Sequence, residues 1–525
     1  MLQKDGIFVN KILLKIVALV VAACMLLPLA ACGGTGITTT TTTVNGGGNG
    51  TCTSHVDGND DGSCDVCRES VIIVIDFYAI NDLHGQLFDS EDQPGVDELT
   101  GYLAESRAKD DYSVVLSSGD MWQGSSESNL TRGEMMTEWM NHIGVTSMTL
   151  GNHEFDWDEQ YLYSNLAVAD FPFLAINIYD VDTDKRVDYA QPSTIVECGD
   201  AKIGIIGAVG DCYSSISPDK VEGVKFKVGS ELTALVKAES ERLRNEGCDY
   251  IVYSIHDGLA KSGNGLVMNN DLAAIYDIVL SNGYVDLVFE AHSHYNYVLR
   301  DTSGVYHVQS GGYNSAIAHV EIELNYVTDT SRVSTAETVK SYIYGKSEPD
   351  GIVDKLKEKY KDTIAAGDEL LGIADGYVSG DRLQQIVADT YIKFGVERWG
   401  DDYDIVLGGG YIGIRSPKHL ESGSVYYRDI YSLFPFDNNM CLCSVSGRKL
   451  LDKFINTNNS TYYISYSDYG KGLKIDPNET YYIIVDTYSA LYAPNGLTII
   501  DKCEEDIFAR DLLAQYIRDG GAPFR

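Results

Sequence analysis

Half of the histidines in this 525-residue chain directly follow short apolar runs rich in β-branched residues. These five are His84, His153, His256, His292 and His294. Because the runs are bounded by Gly, Asn and Asp, they predict buried strands. The predicted strands cover residues 71–80, 113–116, 146–150, 171–178, 202–209, 250–255, 285–289, 305–308 and 317–324. Helical patterns at 132–143 and 230–245 alternate with them, which is typical of an α/β fold whose functional side chains lie at the carboxyl ends of strands.

The ends of these runs carry clusters of carboxylate, amide and imidazole groups. In chain order they are N-D-L-H-G at 81–85, G-D at 119–120, G-N-H-E-F-D at 151–156, H-D at 256–257 and H-S-H at 292–294. In an extended segment, residues two apart point the same way. Asp82 and His84 are therefore expected to aim at one metal ion, and so are the two histidines of H-S-H. The adjacent Asn152 and His153 are expected to face opposite sides.

This order of motifs resembles that of the calcineurin-like dinuclear metallophosphoesterases. The motifs at 81–85 and 151–156 are most similar to those of the exported 5′-nucleotidase and UDP-sugar hydrolase family, and the resemblance covers about residues 71–525. It implies a four-layer αββα metallophosphoesterase sandwich at 71–330, a linker with a helix at 331–367, and a smaller α/β substrate-binding domain at 368–525. The alternative, in which these histidines are satisfied core residues, leaves many polar side chains together without a reason.

The resemblance also implies two divalent cations, of zinc, manganese, iron or cobalt. The first cation would be held by Asp82, His84, Asp120 and His294. The second would be held by Asp120, Asn152, His256 and His292, so that Asp120 bridges the pair. Hydroxide held by the cations would attack the phosphorus in line.

The resemblance assigns proton transfer to His153, which would stabilise the developing charge or protonate the departing oxygen. Asp156 would fix the tautomer of that imidazole, although Asp156 could instead be a helix N-cap. Two neighbours of the predicted ligands depart from the family pattern. Glu290 and Ala291 stand where relatives usually have two glycines, and Asp257 follows His256. A further carboxylate there could add hydrogen bonds around the cations or alter the choice of metal.

In the second predicted domain, G-G-G-Y-I-G-I-R at 408–415 and F-P-F-D-N at 434–438 resemble the family's substrate-binding motifs. On that likeness Arg415 would bind substrate phosphate, with Arg382 as a second candidate. Phe436 and Tyr488 would sandwich the base, and ordinary core packing is the alternative for both rings. Asn495 stands near the place where relatives carry an aspartate that binds ribose, and its amide could still bond a hydroxyl group.

The N-terminus predicts export. Three lysines precede an apolar run at 16–27 that is too short for a stable membrane span and is typical of a signal peptide. The small residues before Cys32 resemble a bacterial lipobox, so we expect residues 1–31 to be removed and Cys32 to carry a lipid. The alternative is a soluble secreted protein with an incidental cysteine. Residues 32–70 would form a Thr/Gly/Asn-rich tether that ends in a small module.

That module contains the spacing C-x2-H-x8-C-x2-C and, interleaved with it, D-x-N-x-D-G. The two sets are Cys52, His55, Cys64 and Cys67, and Asp57, Asn59 and Asp61. The first set could bind zinc and the second resembles a calcium loop, although Arg68 occupies the position of the twelfth calcium-loop residue. A disulfide such as Cys64 with Cys52 is the third alternative.

The charge balance excludes one class of partner. With 40 Lys and Arg against 77 Asp and Glu, the net charge of −37 repels a nucleic-acid backbone. We therefore expect no nucleic-acid polymer and no obligate protein partner, but a small phosphoester that binds to metal ions. The resemblance predicts a lipid-anchored 5′-nucleotidase whose two domains approach each other for turnover, with residues 350–366 as the hinge. The alternatives are a UDP-sugar, dinucleotide or 2′,3′-cyclic nucleotide hydrolase, or a non-catalytic metal-binding or adhesive surface lipoprotein.

Overall fold

The computed structural model describes residues 55–89, 94–262, 265–267, 283–301, 303–456, 462–503 and 506–525. The predicted signal peptide, Cys32, most of the tether and Cys52 lie outside the described residues. Among the helices that are described, none has the length and apolar character needed to cross a membrane.

The first domain is built on two six-stranded sheets. Its strands are β1 (Ile72–Ile80), β2 (Tyr112–Ser117), β3 (Ser147–Thr149), β4 (Phe173–Leu174), β5 (Ile178–Asp180), β6 (Ser193–Cys198), β7 (Ala201–Val209), β8 (Val224–Phe226), β9 (Tyr250–His256), β10 (Ala260–Ser262), β11 (Gly265–Val267), β12 (Leu287–Phe289), β13 (Asn296–Arg300), β14 (Tyr306–Ser310), β15 (Ala316–Asn325) and β16 (Thr330–Lys340). The strand orders are β16-β15-β1-β2-β3-β4 and β13-β14-β12-β9-β7-β6. Within them β1 to β4 are parallel to one another, as are β7, β9, β12 and β14.

Helices cover the outer faces of both sheets. They are α1 (Asp97–Arg107), α2 (Ser126–Leu130), α3 (Glu134–His142), α4 (Gln160–Val168), α5 (Ser230–Asn245), α6 (Ser341–Tyr344) and α7 (Ile352–Ile364). Strand β1 shows why the layers form, because Ile75 and Phe77 face the core between the sheets while Tyr78 and Ile80 face the core under the helices. The expected four-layer αββα sandwich is confirmed.

The second domain is smaller. Its strands are β17 (Leu370–Ala374), β18 (Val378–Ser379), β19 (Ile405–Tyr411), β20 (His419–Leu420), β21 (Gly423–Tyr426), β22 (Met440–Ser446), β23 (Tyr462–Tyr466), β24 (Thr480–Asp486) and β25 (Thr498–Lys502). Its helices are α8 (Gly380–Trp399), α9 (Tyr427–Leu433), α10 (Gly447–Leu450), α11 (Thr487–Leu491) and α12 (Ala509–Arg518). The main sheet has the order β23-β19-β24-β22-β25, and residues of α8 and α12 share a buried apolar core with it.

Two predicted segments differ from the structure. The run at 171–178 forms the short strands β4 and β5 instead of one strand. The predicted linker at 331–367 begins instead with β16, which pairs with β15 at the sheet edge. Its sequence gave no apolar signal because most of its side chains are exposed or half-buried.

The predicted hinge at 350–366 contains helix α7. Helix α7 packs its buried residues Val353, Leu356 and Tyr360 into the outer core of the first domain, and the Tyr360 hydroxyl donates to Glu138 at 2.7 Å. The hinge at 350–366 stays a prediction, and in this structure the helix belongs to the first domain. The chain enters the second domain through a 3-10 turn at Ala365–Asp368.

The topology brings the predicted ligand motifs together. Strands β1, β2 and β3 of one sheet, and β9 and β12 of the other, all end at the edge where the two sheets meet. Hydrogen bonds join the sheets just inside this edge, where Ser254 Oγ lies 3.0 Å from Ser118 Oγ and accepts from Thr149 Oγ1 at 2.8 Å. The loops that follow these five strands therefore converge on one place.

Candidate metal centre and substrate cavity

One cluster of possible metal ligands contains Asp82, His84 and His294, whose ligand atoms lie within 4.8 Å of one another. The Nε2 atom of His294 lies 3.0 Å from Nε2 of His84 and 3.3 Å from Oδ1 of Asp82. The opposite nitrogen of His84 is held by the Gln123 carbonyl at 3.0 Å. A hydrogen bond of this kind orients the imidazole toward a cation.

A second cluster lies beside the first and shares Asp82 with it, because Asp82, Asp120 and His256 are also within 4.8 Å of one another. His256 Nε2 lies 3.1 Å from Asp120 Oδ2, and its Nδ1 is held by the Ser118 carbonyl at 2.6 Å. The rings of His256 and His292 have centroids 5.5 Å apart. The residue that these two clusters share is Asp82, whereas the resemblance gives the bridging position to Asp120.

The backbone at this edge is unusual. Asp82, His84, Asp120, His292 and His294 all have left-handed backbones, with φ of 51°, 49°, 56°, 66° and 56°. Non-glycine residues rarely adopt this region, and such strain is typical of functional sites. The expectation of extended D-x-H and H-x-H segments is therefore wrong. His292 groups with Cys212 and His256, whereas His294 groups with Asp82 and His84, so it is also wrong that His292 and His294 aim at one ion.

The side chains at the centre fit a pair of cations. Both polar atoms of the Asn152 side chain are buried without a hydrogen-bond partner among the described residues. Such groups are costly to bury unless a ligand satisfies them. Burial lowers the pKa of His84 well below its usual value and that of His292 to about 4, so both imidazoles are neutral, as a metal ligand must be. Mixed oxygen and imidazole donors suit transition metals.

His153 lies at the rim of this centre and is held from both sides. Its Nδ1 lies 2.6 Å from Asp156 Oδ2, and its Nε2 lies 2.7 Å from a terminal nitrogen of Arg415. Because arginine only donates, Nε2 must accept, and Nδ1 therefore carries the proton and donates it to Asp156. Asp156 follows the 3-10 turn His153–Phe155, and the N-cap of α4 is Glu159, so the alternative of Asp156 as a helix N-cap is wrong.

Arg415 comes from the second domain. It also donates to Gln123 Oε1 at 2.9 Å, and its Nε is buried without a hydrogen-bond partner within the described part of the chain. Two further contacts fasten the domains near this point, from Arg132 to Asp437 at 2.7 Å and from Ser126 N to Ser432 Oγ at 2.9 Å.

A cavity of about 260 Å³ opens beside His153, between the domains. We call it the aromatic cavity, and its lining includes Asn152, His153, Tyr411, Arg415, Phe436 and Tyr488. The rings of Tyr411 and Tyr488 have centroids 5.6 Å apart, and the Arg415 guanidinium carbon lies 5.5 Å from the Phe436 ring centroid. A larger cavity of about 610 Å³ meets His84 and Arg415 from another side and is lined also by Lys357 and Arg428.

Comparison with known proteins agrees with this arrangement. Residues 75–296 match the model of the calcineurin-like phosphoesterase family. Endonuclease YhcR of Bacillus subtilis is 28% identical over 480 residues, which cover 80% of this chain but only 38% of that protein. A 5′-nucleotidase of Vibrio cholerae is 26% identical over 386 residues, covering 65% of this chain and 66% of that protein. The structure of a putative 5′-nucleotidase from Staphylococcus aureus superimposes with a TM-score of 0.67 at 18% identity, covering 86% of this chain and 98% of that one.

Residues 75–296 thus form a calcineurin-like phosphoesterase domain, and the chain as a whole is similar to 5′-nucleotidases. It is a metal-dependent phosphoester hydrolase that uses two divalent cations, as calcineurin-like phosphoesterases do. The Asp and His groups at the strand ends supply side chains suited to hold them.

Glu154 is a functional residue whose role the sequence did not suggest, although it stands within the G-N-H-E-F-D motif. Its buried carboxylate accepts hydrogen bonds from the backbone N–H groups of Asp120 at 2.9 Å, Met121 at 2.8 Å and Gly151 at 2.7 Å. Glu154 therefore fastens two ligand-bearing loops to each other. Gly151 permits this approach, since a Cβ there would lie 2.3 Å from Asp120 Oδ1.

The two departures from the family pattern point away from the cations. The Glu290 carboxylate is buried, accepts from the Tyr297 hydroxyl and lies 2.9 Å from His307 Nδ1. The Asp257 carboxylate accepts from Asp211 N at 2.9 Å and Gly258 N at 2.8 Å. Neither residue joins a described cluster of metal ligands. An effect of Glu290 or Asp257 on the choice of metal stays a prediction.

Two predicted substrate residues lie elsewhere. Arg382 is exposed in the first turn of α8, and the Ala522 carbonyl lies 3.5 Å from its guanidinium. Asn495 is buried and already satisfied, because it accepts from the Tyr462 hydroxyl at 3.0 Å and donates to the Ser489 carbonyl at 2.9 Å. Neither residue lines the aromatic cavity. Tyr411, within the quoted 408–415 motif, lines it and was overlooked.

Proposed function

We propose that this chain is an exported, lipid-anchored 5′-nucleotidase that hydrolyses nucleoside monophosphates to nucleoside and phosphate. The observation that carries the proposal is the position of His153, which borders both the cluster of metal ligands and the aromatic cavity. A substrate whose phosphate lies at the cations and whose base lies in that cavity would place its scissile bond beside this imidazole.

The proposed ligands of the first cation are Asp82, His84, Asp120 and His294. The proposed ligands of the second are Asp120, Asn152, His256 and His292. A pair of divalent cations supplies Lewis acidity toward phosphoryl oxygens and lowers the pKa of bound water. The orphaned amide of Asn152 and the neutral, oriented imidazoles support this assignment.

His153 is the proposed general acid once its Nε2 has exchanged the hydrogen bond from Arg415 for a proton from water, and Asp156 positions the ring through Nδ1. Arg415 is the proposed phosphate ligand, because its guanidinium projects from the second domain to within 2.7 Å of His153 and its buried Nε has no partner in the described residues. A planar fork of N–H donors matches phosphate oxygens. Excess positive charge beside the reacting phosphorus would then stabilise the transition state.

Phe436 and Tyr488 are the proposed walls of the base site, with Tyr411 packed against the second ring. Stacking on aromatic rings accepts every nucleobase, so it gives affinity with little base preference. The polar side chains of Asn438 and Asp486 also line this cavity and are the proposed source of any base preference.

Hydrolysis of AMP, UDP-glucose, a 2′,3′-cyclic nucleotide and single-stranded DNA, each with Mn²⁺ or Zn²⁺ and with the organic products separated by chromatography, tests the proposal. We expect AMP to be the best substrate. Preference for UDP-glucose or the cyclic nucleotide would support the alternative hydrolases, for which the 610 Å³ cavity offers room. Preference for DNA would align the chain with endonuclease YhcR and contradict the charge argument. No hydrolysis of any compound with both cations bound would identify a binding protein.

The membrane anchor is proposed from Cys32 and the run before it. Replacement of Cys32 by Ala is expected to release the protein from the membrane fraction into the medium while the rate on AMP is unchanged. Release of the unaltered protein without lipid would instead favour the soluble secreted alternative.

A further inference from the structure

A second possible metal site lies far from the catalytic edge, in the module before β1. His55, Cys64 and Cys67 offer ligand atoms that lie within 4.8 Å of one another, and Cys67 Sγ lies 3.4 Å from His55 Nδ1. The Cys64 side chain is completely buried. Two sulfur atoms and one imidazole nitrogen in this arrangement are a donor set that zinc prefers.

The surroundings of the sulfur favour its thiolate form. The backbone N–H groups of Cys67, Val56 and Val66 hydrogen-bond to the Cys64 sulfur and, together with the His55 side chain, lower the pKa of that thiol to about 5. The thiolate is the form that binds metal. On the far side of the imidazole, His55 Nε2 faces the Glu69 carboxylate at 4.0 Å, as metal-bound histidines commonly face an acidic partner.

The oxygen-rich residues of the same loop are used differently. The Asp57 carboxylate accepts from Asp61 N at 3.0 Å and Gly62 N at 2.9 Å. The two oxygens of Asp61 accept from Ser63 N and the Asn59 amide. The described carboxylates here form no cluster of three within 4.8 Å. They shape the loop instead of converging on a cation, which argues against the calcium alternative.

The loop is fastened to the first domain. The Asn325 amide donates to Asp57 at 2.7 Å and to Asp60 at 3.0 Å, and Val71 N donates to the Gly62 carbonyl at 3.0 Å. The His55 ring meets Tyr326 edge-on, with centroids 6.1 Å apart. The nine residues of β1 separate this loop from the catalytic edge, which amounts to about 30 Å along an extended strand.

We propose that His55, Cys64 and Cys67 bind a structural zinc ion that locks the module onto the start of β1. One coordination position is left for water or a further side chain. The ion takes no part in hydrolysis because of its distance from the proposed catalytic residues. Its role is to close the loop where the chain enters the domain, so that the fold does not fray from this end.

The test compares the purified full chain with the double variant Cys64→Ser/Cys67→Ser and with Asp61→Asn as a matched control in the same loop. After removal of loosely bound metal, we expect the double variant to hold one zinc equivalent less than the wild type, and Asp61→Asn to hold the same amount. The rate of AMP hydrolysis, or the occupancy of the catalytic cations if AMP is not a substrate, should be unchanged in all three. This readout separates failure of the zinc site from failure of the proposed function.

Limited trypsin digestion gives an independent readout, because Arg68 is the only Lys or Arg between Lys15 and Arg107. Cleavage after Arg68 should be faster in the double variant by on the order of tenfold, since loss of the ion lets the loop open. Cobalt(II) in the wild type should show a thiolate charge-transfer band that the double variant lacks.

Three results would overturn the proposal. The first is equal zinc content in the wild type and the double variant. The second is a disulfide that includes Cys64 or Cys67 in the protein as purified, detected by intact mass before and after reduction. The third is occupancy by calcium that is lost in Asp61→Asn but kept in the double variant.

Discussion

Replacement of Glu154 by Gln tests whether the metal centre depends on the carboxylate that joins its loops. One carboxylate oxygen of Glu154 accepts from Asp120 N and Gly151 N, and the other accepts from Met121 N. Glutamine has nearly the same shape but only one acceptor oxygen, and its NH₂ group must face N–H donors on the other side. In either orientation at least one buried N–H loses its acceptor.

An unsatisfied buried donor costs about 1–3 kcal/mol, so we expect the free energy of unfolding of Glu154→Gln to fall by about that amount. Because Asp120 moves with its loop, metal affinity should fall by about 10–100-fold, as for other residues that orient metal ligands. Chemical denaturation of the apo protein measures the first effect, and titration with Zn²⁺ or Mn²⁺ against a competing chelator measures the second. The exposed Glu105→Gln is the matched control. Wild-type stability together with wild-type metal affinity in Glu154→Gln would refute the reasoning.

Three further predictions concern the site itself. His153→Ala should lower kcat by about 10²–10⁴-fold with metal content unchanged, and an undiminished rate would exclude this imidazole as the acid. Phe436→Ala should raise KM for AMP by about tenfold while leaving the hydrolysis of p-nitrophenyl phosphate, which has no base, nearly unchanged; equal losses on both would mean that the ring acts through packing. Removal of metal by a chelator should abolish activity on every substrate, and Mn²⁺ or Zn²⁺ should restore it; activity that survives complete removal would contradict a dinuclear centre.

The sandwich was predictable because its central strands are buried on both faces. Runs such as 202–209 and 250–255 are almost entirely apolar, and the structure places them at β7 and β9. Strand β16 was missed for the opposite reason, since an edge strand with mostly exposed side chains carries no such run. It pairs with β15 as a hairpin across the connection at residues 326–329, so its place in the sheet comes from this hairpin and not from an apolar run.

The order of the motifs along the chain predicted which residues could bind metal, but it did not predict the geometry of those residues. The expectation that residues two apart point the same way assumes an extended backbone, whereas His292 and His294 have φ of 66° and 56°. The turn at each residue sends the two imidazoles to different clusters. Nothing in the residue types of H-S-H distinguishes these conformations. The backbone is decided by the loops that pack against it.

In the second domain, residues within matching motifs were predicted better than residues outside them. Arg415 and Phe436 belong to runs that match the family's substrate-binding motifs, and both line the aromatic cavity. Arg382 and Asn495 correspond to the family only in residue type and approximate position along the chain, and neither lines the aromatic cavity. A polar side chain such as that of Asn495 has many ways to be satisfied inside a fold. Its identity alone therefore says little about ligand binding.

The contact between Arg415 and His153 links the two domains through the reacting group itself. In this arrangement the guanidinium donates to Nε2 of His153, which is the nitrogen that faces the cavity. A phosphate dianion is a stronger acceptor for a guanidinium than a neutral imidazole is, because the hydrogen bond then joins opposite charges. Arrival of a phosphoester would therefore draw Arg415 from the imidazole to the phosphate oxygens and leave Nε2 open to take up a proton from water, which it could then donate to the departing oxygen. Since Asp156 keeps its hold on Nδ1, His153 retains its orientation throughout this exchange. Substrate binding by one domain would thus release the proton-transfer group of the other, which is a physical reason for dividing the site between two domains.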